Sequence, residues 1–166
     1  DYRANKVRRL SAGNVTTYVG TGAAGSTGDG GTAWTATINH PIAIAVTADN
    51  TVYVSEGDGR RVRRVAPDGT ISTFAGNGAL GVYGDGGAAT SAAIGTVTGI
   101  AVDGNDVYLA SEGLLRRVRN GVITSVPGWT QFAVGLGITN GKLYITTQQG
   151  AVYRATLAGS VASDFD

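Results

Sequence analysis

The chain of 166 residues has no cysteine, no methionine, three prolines and a single histidine. Without cysteine there can be no disulfide and no thiolate metal site. One histidine falls short of the two or three His or Cys ligands usual at catalytic zinc. A Ser-His-Asp triad would have to form around that one ring, and no nucleophile-elbow sequence is present. His40 stands before Pro41 at the mouth of a strand and reads as a packed or capping residue. Charge is scarce as well: 13 Lys+Arg oppose 12 Asp+Glu, a net +1 that demands no polyanionic partner. No apolar run approaches the roughly 20 residues of a membrane-spanning helix. The chain opens on Asp1 rather than Met, and no signal peptide is recognisable. The expectation is a removed leader or a longer polypeptide.

What is abundant is glycine, 27 residues of it, and it recurs in register. "GSTGDGGTAWTATI" (25–38) returns as "GVYGDGGAATSAAI" (81–94). Around these stretches three units align. "IAIAV" (42–46), "VYVSEG" (52–57), "VRRV" (62–65) and "TISTF" (70–74) form the first. "TGIAV" (98–102), "VYLASEG" (107–113), "LRRV" (115–118) and "VITSV" (122–126) form the second. "VGLGI" (134–138), "LYITT" (143–147), "AVYR" (151–154) and "SVAS" (160–163) form the third. "VRRL" (7–10) and "VTTYV" (15–19) in front supply only the last two strands of a unit.

Asn-Gly and Asp-Gly in the short connections supply the positive φ of tight hairpins. The first strand of each unit alternates large residues (Ile42, Ile44, Val46; Ile100, Val102; Leu136, Ile138) with Ala or Gly. Neither face is polar, so both faces should be buried, as in the innermost strand of a wedge. The expected fold is all-β: a β-propeller of four-stranded antiparallel blades. About three and a half blades are present, a half blade at 6–19 and blades at 42–74, 98–126 and 133–163, spanning 1–166 as one segment. A β-sandwich is the alternative, but it would not repeat one large/small register three times.

These motifs, "GNGALGVYGDGGAATSAAI", "VYLASEG" and "LRRV", and above all "VYVSEGDGRRVRRVAPDGTISTFAGNG" (52–78), resemble NHL-repeat β-propellers of secreted bacterial type. The resemblance covers residues 6–126; the third unit shares only the strand pattern. Glu56 and Glu112 stand where Asp is more usual. The resemblance implies the fold and little chemistry. It also offers RNA binding through a basic face, but a net charge of +1 argues against nucleic acid as a partner. Propeller lyases of similar fold use several metal-binding histidines, and those positions are absent here.

The two glycine-rich connections, 20–41 and 76–97, are long enough to be functional or self-packed. We expect them to cross one face of the disc from rim to axis, each with a short helical turn that drops Ile38 or Ile94 into the core. Asp29 and Asp85 recur in both and read first as turn acceptors for nearby amides. Asp29 or Asp85, paired with Glu56 or Glu112, is also a candidate set of ligands for Ca²⁺ across a blade boundary. Glu56 and Glu112 are otherwise expected to pair with Arg60, Arg61 or Arg116, or to accept loop amides. Trp34, Leu80, Tyr83, Trp129 and Phe132 are the candidate binding residues at loop tips. The third connection shrinks to "PGWTQFA" (127–133), which predicts a notch beside Trp129 and Phe132.

Three and a half blades do not close a ring. Exposed blade flanks are costly at about 25 cal/mol per Å² of apolar surface. Other blades of the same polypeptide, or other protein chains, are expected to complete it. The expected function is a non-catalytic scaffold presenting loops to protein or glycan, with no cofactor and no membrane contact. An extracellular or periplasmic location follows from the resemblance and the lysine-poor, Thr/Gly/Ala-rich composition; Asn14-Val15-Thr16 also forms a glycosylation sequon. The alternative is a calcium-dependent hydrolase or lactonase whose site is completed by missing blades.

Overall fold

A computed structural model describes residues 1–158 and 161–163. The half blade is the hairpin of β1 (Val7–Ser11) and β2 (Asn14–Val19). The first full sheet runs β3 (Pro41–Val46), β4 (Val52–Glu56), β5 (Arg61–Val65) and β6 (Ile71–Ala75), each pairing antiparallel with the next. Two short strands, β7 (Val82–Tyr83) and β8 (Ala93–Ile94), pair within the second glycine-rich connection. The second full sheet is β9 (Val97–Asp103), β10 (Asp106–Ser111), β11 (Leu114–Arg119) and β12 (Val122–Ser125). The third is β13 (Ala133–Thr139), β14 (Lys142–Thr147), β15 (Val152–Ala158) and β16 (Val161–Ser163). Gly159 and Ser160, part of the expected last turn and strand, lie outside the described residues.

Asn50, Asn120 and Asn140 adopt positive φ in the hairpin connections, which is why short Asn- and Gly-bearing turns suffice there. The sheets stand side by side as wedges. Tyr53, Val62 and Ala75 of the first full sheet share one core with Ile100, Leu109, Val118 and Ile123 of the second. Ala101, Tyr108 and Ala110 of the second pack with Leu143, Ile145 and Ala155 of the third. Val19 of the half blade packs with Val52, Val54, Val65 and Ile71. Ile44, Ile100 and Ile138 line one hollow of about 770 Å³ at the ends of the three inner strands, so these strands gather around a common centre.

The first strand of each unit was expected to be buried on both faces, and two of the three are not: in β3 Ile42, Ile44 and Val46 are 44%, 51% and 62% exposed, and in β13 Val134 is 37% exposed and Gly137 is exposed as well. The small residues of β3, Ala43 and Ala45, pack against the second full sheet. Its large residues face the half blade, which has no inner strands to cover them. The same register is closed farther along: Ile100 is buried against the sheet that precedes it.

Candidate functional site

The glycine-rich connections do not simply cross the disc face. Each runs antiparallel along the outer strand of the blade that follows it, as a partial fifth strand. The Gly30 amide donates to the Ile71 carbonyl and the Ile71 amide to Gly31, while Thr32 bridges Thr70. The second connection repeats this: the Gly86 amide donates to Ile123, the Ile123 amide to Gly87, and Ala88 bridges Val122. An outer strand is a row of unpaired amides and carbonyls, and this cap blunts it. Each cap then makes a 3₁₀ turn, Ala33–Thr35 or Ala89–Ser91, and delivers Ile38 or Ile94 fully buried into the wedge between two blades. The helical turn and the buried isoleucine were legible in the sequence; the edge pairing was not.

Close packing explains why glycine opens each cap. At Gly76 φ is +91°, and a Cβ would lie 2.4 Å from the Arg60 carbonyl oxygen and 2.8 Å from Ile94 Cδ1. Gly20, its counterpart, has φ +95° and would meet the Asn5 carbonyl oxygen at 2.3 Å. Neither the left-handed conformation nor the contact admits a side chain.

Asp29 and Asp85 serve as latches. The Arg63 guanidinium donates to Asp29 and, at 2.9 Å, to Glu56 Oε1. It also reaches the Thr27 and Thr37 carbonyls at 3.2 and 3.4 Å. Asp29 Oδ2 accepts the Thr73 amide at 2.9 Å. In the next blade Arg116 donates to Asp85 and to the Ala93 carbonyl at 2.9 Å, and Asp85 Oδ2 accepts the Ser125 amide at 2.9 Å. Both arginines are buried. The aspartates thus accept amides of the outer strand across the blade, rather than of their own turn. Each clamps its cap to both outer strands through charge-assisted bonds.

Burial opposes ionisation of Asp29, but the Thr73 bonds and the Arg63 guanidinium outweigh it and hold its carboxyl below the ordinary range. Burial likewise opposes ionisation of Asp85, and the Ser125 and Arg116 bonds likewise win. A depressed native pKa means that the unfolded chain takes up protons first. The stabilisation is therefore present above the unfolded value, near 3.8, and lost as pH falls through the native one. Thermal midpoints recorded from pH 5 to pH 2.5 should fall, and Asp29→Asn with Asp85→Asn should flatten that fall. Asp49 and Asp68, held low by hydrogen bonds from Thr47 and from the Thr70 amide, set a residual slope. An unchanged slope in the double variant would remove the latches as its cause.

Glu56 is driven the other way. Burial pushes its carboxyl above the ordinary range, against the opposing Ser26, Arg63 and Arg61. Its partner is Arg63, not Arg60, Arg61 or Arg116 as the sequence suggested. Arg61 instead donates to the Gly59 and Asn77 carbonyls, at 3.0 and 2.9 Å. Glu112 sits on a connection two residues shorter, is exposed, and accepts the Thr96 amide at 3.2 Å. Asp29 and Glu56 thus share Arg63, Asp85 is bound by Arg116, and Glu112 accepts a loop amide, so each candidate calcium ligand has a protein partner. Among the described residues no three His, Cys, Asp or Glu are grouped to hold a metal ion.

Trp34, Leu80 and Tyr83 stand exposed on the two caps. Phe132 is exposed on its other side, while its ring lies against Gly113. Trp129 differs from the loop-tip anchor anticipated for it. It is half-buried, packed against the core shared by the second and third full sheets, and meets Tyr153 edge-on at 5.4 Å and 87°. His40 faces Asp58 through Nδ1 and stacks on Tyr2 at 4.4 Å.

No family model matches the sequence, and no curated protein matches it. Solved structures do. A Bacteroides thetaiotaomicron protein of unknown function superposes with TM-score 0.67 at 16% identity over 92% of this chain and 42% of its own. A chain of the nidogen/laminin complex gives 0.64 at 13% identity over 99% and 60%. Streptogramin B lyase gives 0.54 at 12% identity over 94% and 49%. This chain spans roughly half the length of these structures. At such identity the likeness carries the architecture alone. The chain is a partial β-propeller of antiparallel four-stranded sheets.

Proposed function

We propose that this chain is a non-catalytic segment of an NHL-type β-propeller, a scaffold whose rim loops contact protein or glycan outside the cytoplasm. Further blades, of the same polypeptide or of other chains, complete its ring. The observation that carries this reading is how the polar groups are used. The carboxylates best placed for chemistry are taken up by Arg63, Arg116 and loop amides. Large apolar groups are left facing solvent on the caps: Trp34 is 63% and Leu80 72% exposed. Bare Ile42, Ile44 and Val46 support the missing blades.

Light scattering tests the ring. The chain should associate beyond its 16.8 kDa monomer mass; a stable, compact monomer overturns that part. Trp34→Ala and Tyr83→Ala should lower retention on immobilised glycans or partner proteins several-fold, with an unchanged thermal midpoint. Equal retention removes the rim loops from binding. A calcium-dependent midpoint with lactone hydrolysis would replace the scaffold by the hydrolase.

A further inference from the structure

Three registers in this chain carry the same position on the third strand of a blade. Arg63 pairs with Val54 and Thr73, and Arg116 with Leu109 and Ser125. Tyr153 pairs with Ile145 of the third full blade. The side chain at this position matches what fills the wedge beside it. Where it is arginine, a glycine-rich cap supplies an aspartate, Asp29 or Asp85. Where it is tyrosine, the cap is short and supplies Trp129 edge-on.

The half blade has a fourth such position, and it is Arg8, opposite Thr17. Arg8 donates to the Thr17 hydroxyl at 2.6 Å and is exposed. Thr17 stands where Thr73 and Ser125 stand, the two residues whose amides bind the latch aspartates. The neighbours agree. Val15 matches Ile71 and Ile123 but is 66% exposed where they are fully buried; Leu10 matches Val65 and Val118 but is 70% exposed. Asn5 matches Arg60, with φ of +49° against +47°, so the entry into β1 already has the repeat's conformation. Beside it a recess of about 660 Å³ opens between β1 and the bare Ile44 and Val46.

We infer that Arg8 and the Thr17 amide form an unfilled latch. Its occupant is a further unit of this repeat within the same ring: a Gly-Asp-Gly-Gly cap followed by an inner hairpin. The cap places its aspartate between the Arg8 guanidinium and the Thr17 amide. The hairpin pairs with the free edge of β1 and turns Ala or Gly residues onto Ile42, Ile44 and Val46, as Ala43 and Ala45 do for the next blade. This surface continues the interface that β2 already makes with Val52, Val54, Val65 and Ile71. The inference rests on the proposal that the ring extends beyond this chain. It adds that the contact is a carboxylate latch rather than an aromatic one.

The test fuses a second copy of residues 20–55 directly ahead of Asp1, so that Asp1 follows the copied Ser55 as Glu56 follows the original. The thermal midpoint should rise by at least about 4 °C, since each kcal/mol moves a domain of this size by roughly 2–4 °C. Exchange of the Thr17 amide hydrogen should slow at least about tenfold. Asp29→Asn in the copy alone, or Arg8→Ala, should cancel the slowing and most of the rise, while Arg8→Ala in the unfused chain leaves the midpoint in place. A rise that survives both substitutions, with Thr17 exchange unaltered, overturns the latch and leaves the extended ring standing. No rise, with the added segment open to protease, overturns both.

Discussion

Arg63→Ala is expected to destabilise the fold by about 3–5 kcal/mol, the cost of stripping one partner from a buried ion pair. Arg63 and Glu56 are both 0% exposed at the side chain, so no water replaces the lost guanidinium. Four acceptors lose a donor together: Glu56, Asp29 and the Thr27 and Thr37 carbonyls. The cap loses its latch in the same step. Adding Glu56→Gln should return part of the loss, because an amide is far cheaper to bury unpaired than a carboxylate. The sign of the pH effect separates this from a simple cavity. Burial already pushes Glu56 up. Without Arg63 the native carboxyl binds its proton more tightly than the unfolded one. The Arg63→Ala protein should then be more stable at pH 5 than at pH 7, losing stability as pH rises between the unfolded and native values. Chemical denaturation at both pH values decides. A loss under 1 kcal/mol, or one that does not vary with pH, would mean that Glu56 is not an uncompensated buried charge.

Ile94→Ala is expected to cost about 2–5 kcal/mol, the range for deleting buried methylenes from a packed core. Ile94 is fully buried in the wedge shared by the first and second full sheets, at the point where the second cap ends. Gly76, Ala89 and Ala92 surround that wedge with small groups that have little to move into the space. Ile44→Ala is the matched control. Ile44 is 51% exposed, and its truncation in this chain should fall within about 0.5 kcal/mol. If further blades cover that flank, the same Ile44→Ala in the completed ring should approach the Ile94 value. Equal small losses at both positions would mean that the wedge does not bear on stability.

The blade pattern was legible because it lives in local chemistry. Alternation along "IAIAV" and "TGIAV", Asn and Gly in the turns, and a GDGG stretch that returns in register are all readable without coordinates. Even the 3₁₀ turn before Ile38 and Ile94 follows from short polar and alanine stretches between glycines and a buried isoleucine. The latch was not legible. An Arg-Arg pair on a strand shows only that its members point to opposite faces, and only one of the two turns inward. Arg63 and Arg64 alternate, and nothing local says which one meets an acid 34 residues earlier. A signal did exist: Asp29/Arg63 and Asp85/Arg116 recur together, while the capless third unit has Tyr153 instead.

By itself, then, the order of residues determined the number and pairing order of the blade strands, the turn positions and the repeat, though not the short β7–β8 pair within the second cap. These depend on side-chain period and backbone freedom, which act over a few residues. Only the tertiary structure decided that the caps lie along outer strands, that Glu56 turns in while Glu112 turns out, and that Trp129 fills a wedge. Each of those outcomes depends on which surface of one blade meets the next, and on how much water is left between them. Burial sets the worth of a charge or a ring there, and burial belongs to no residue alone.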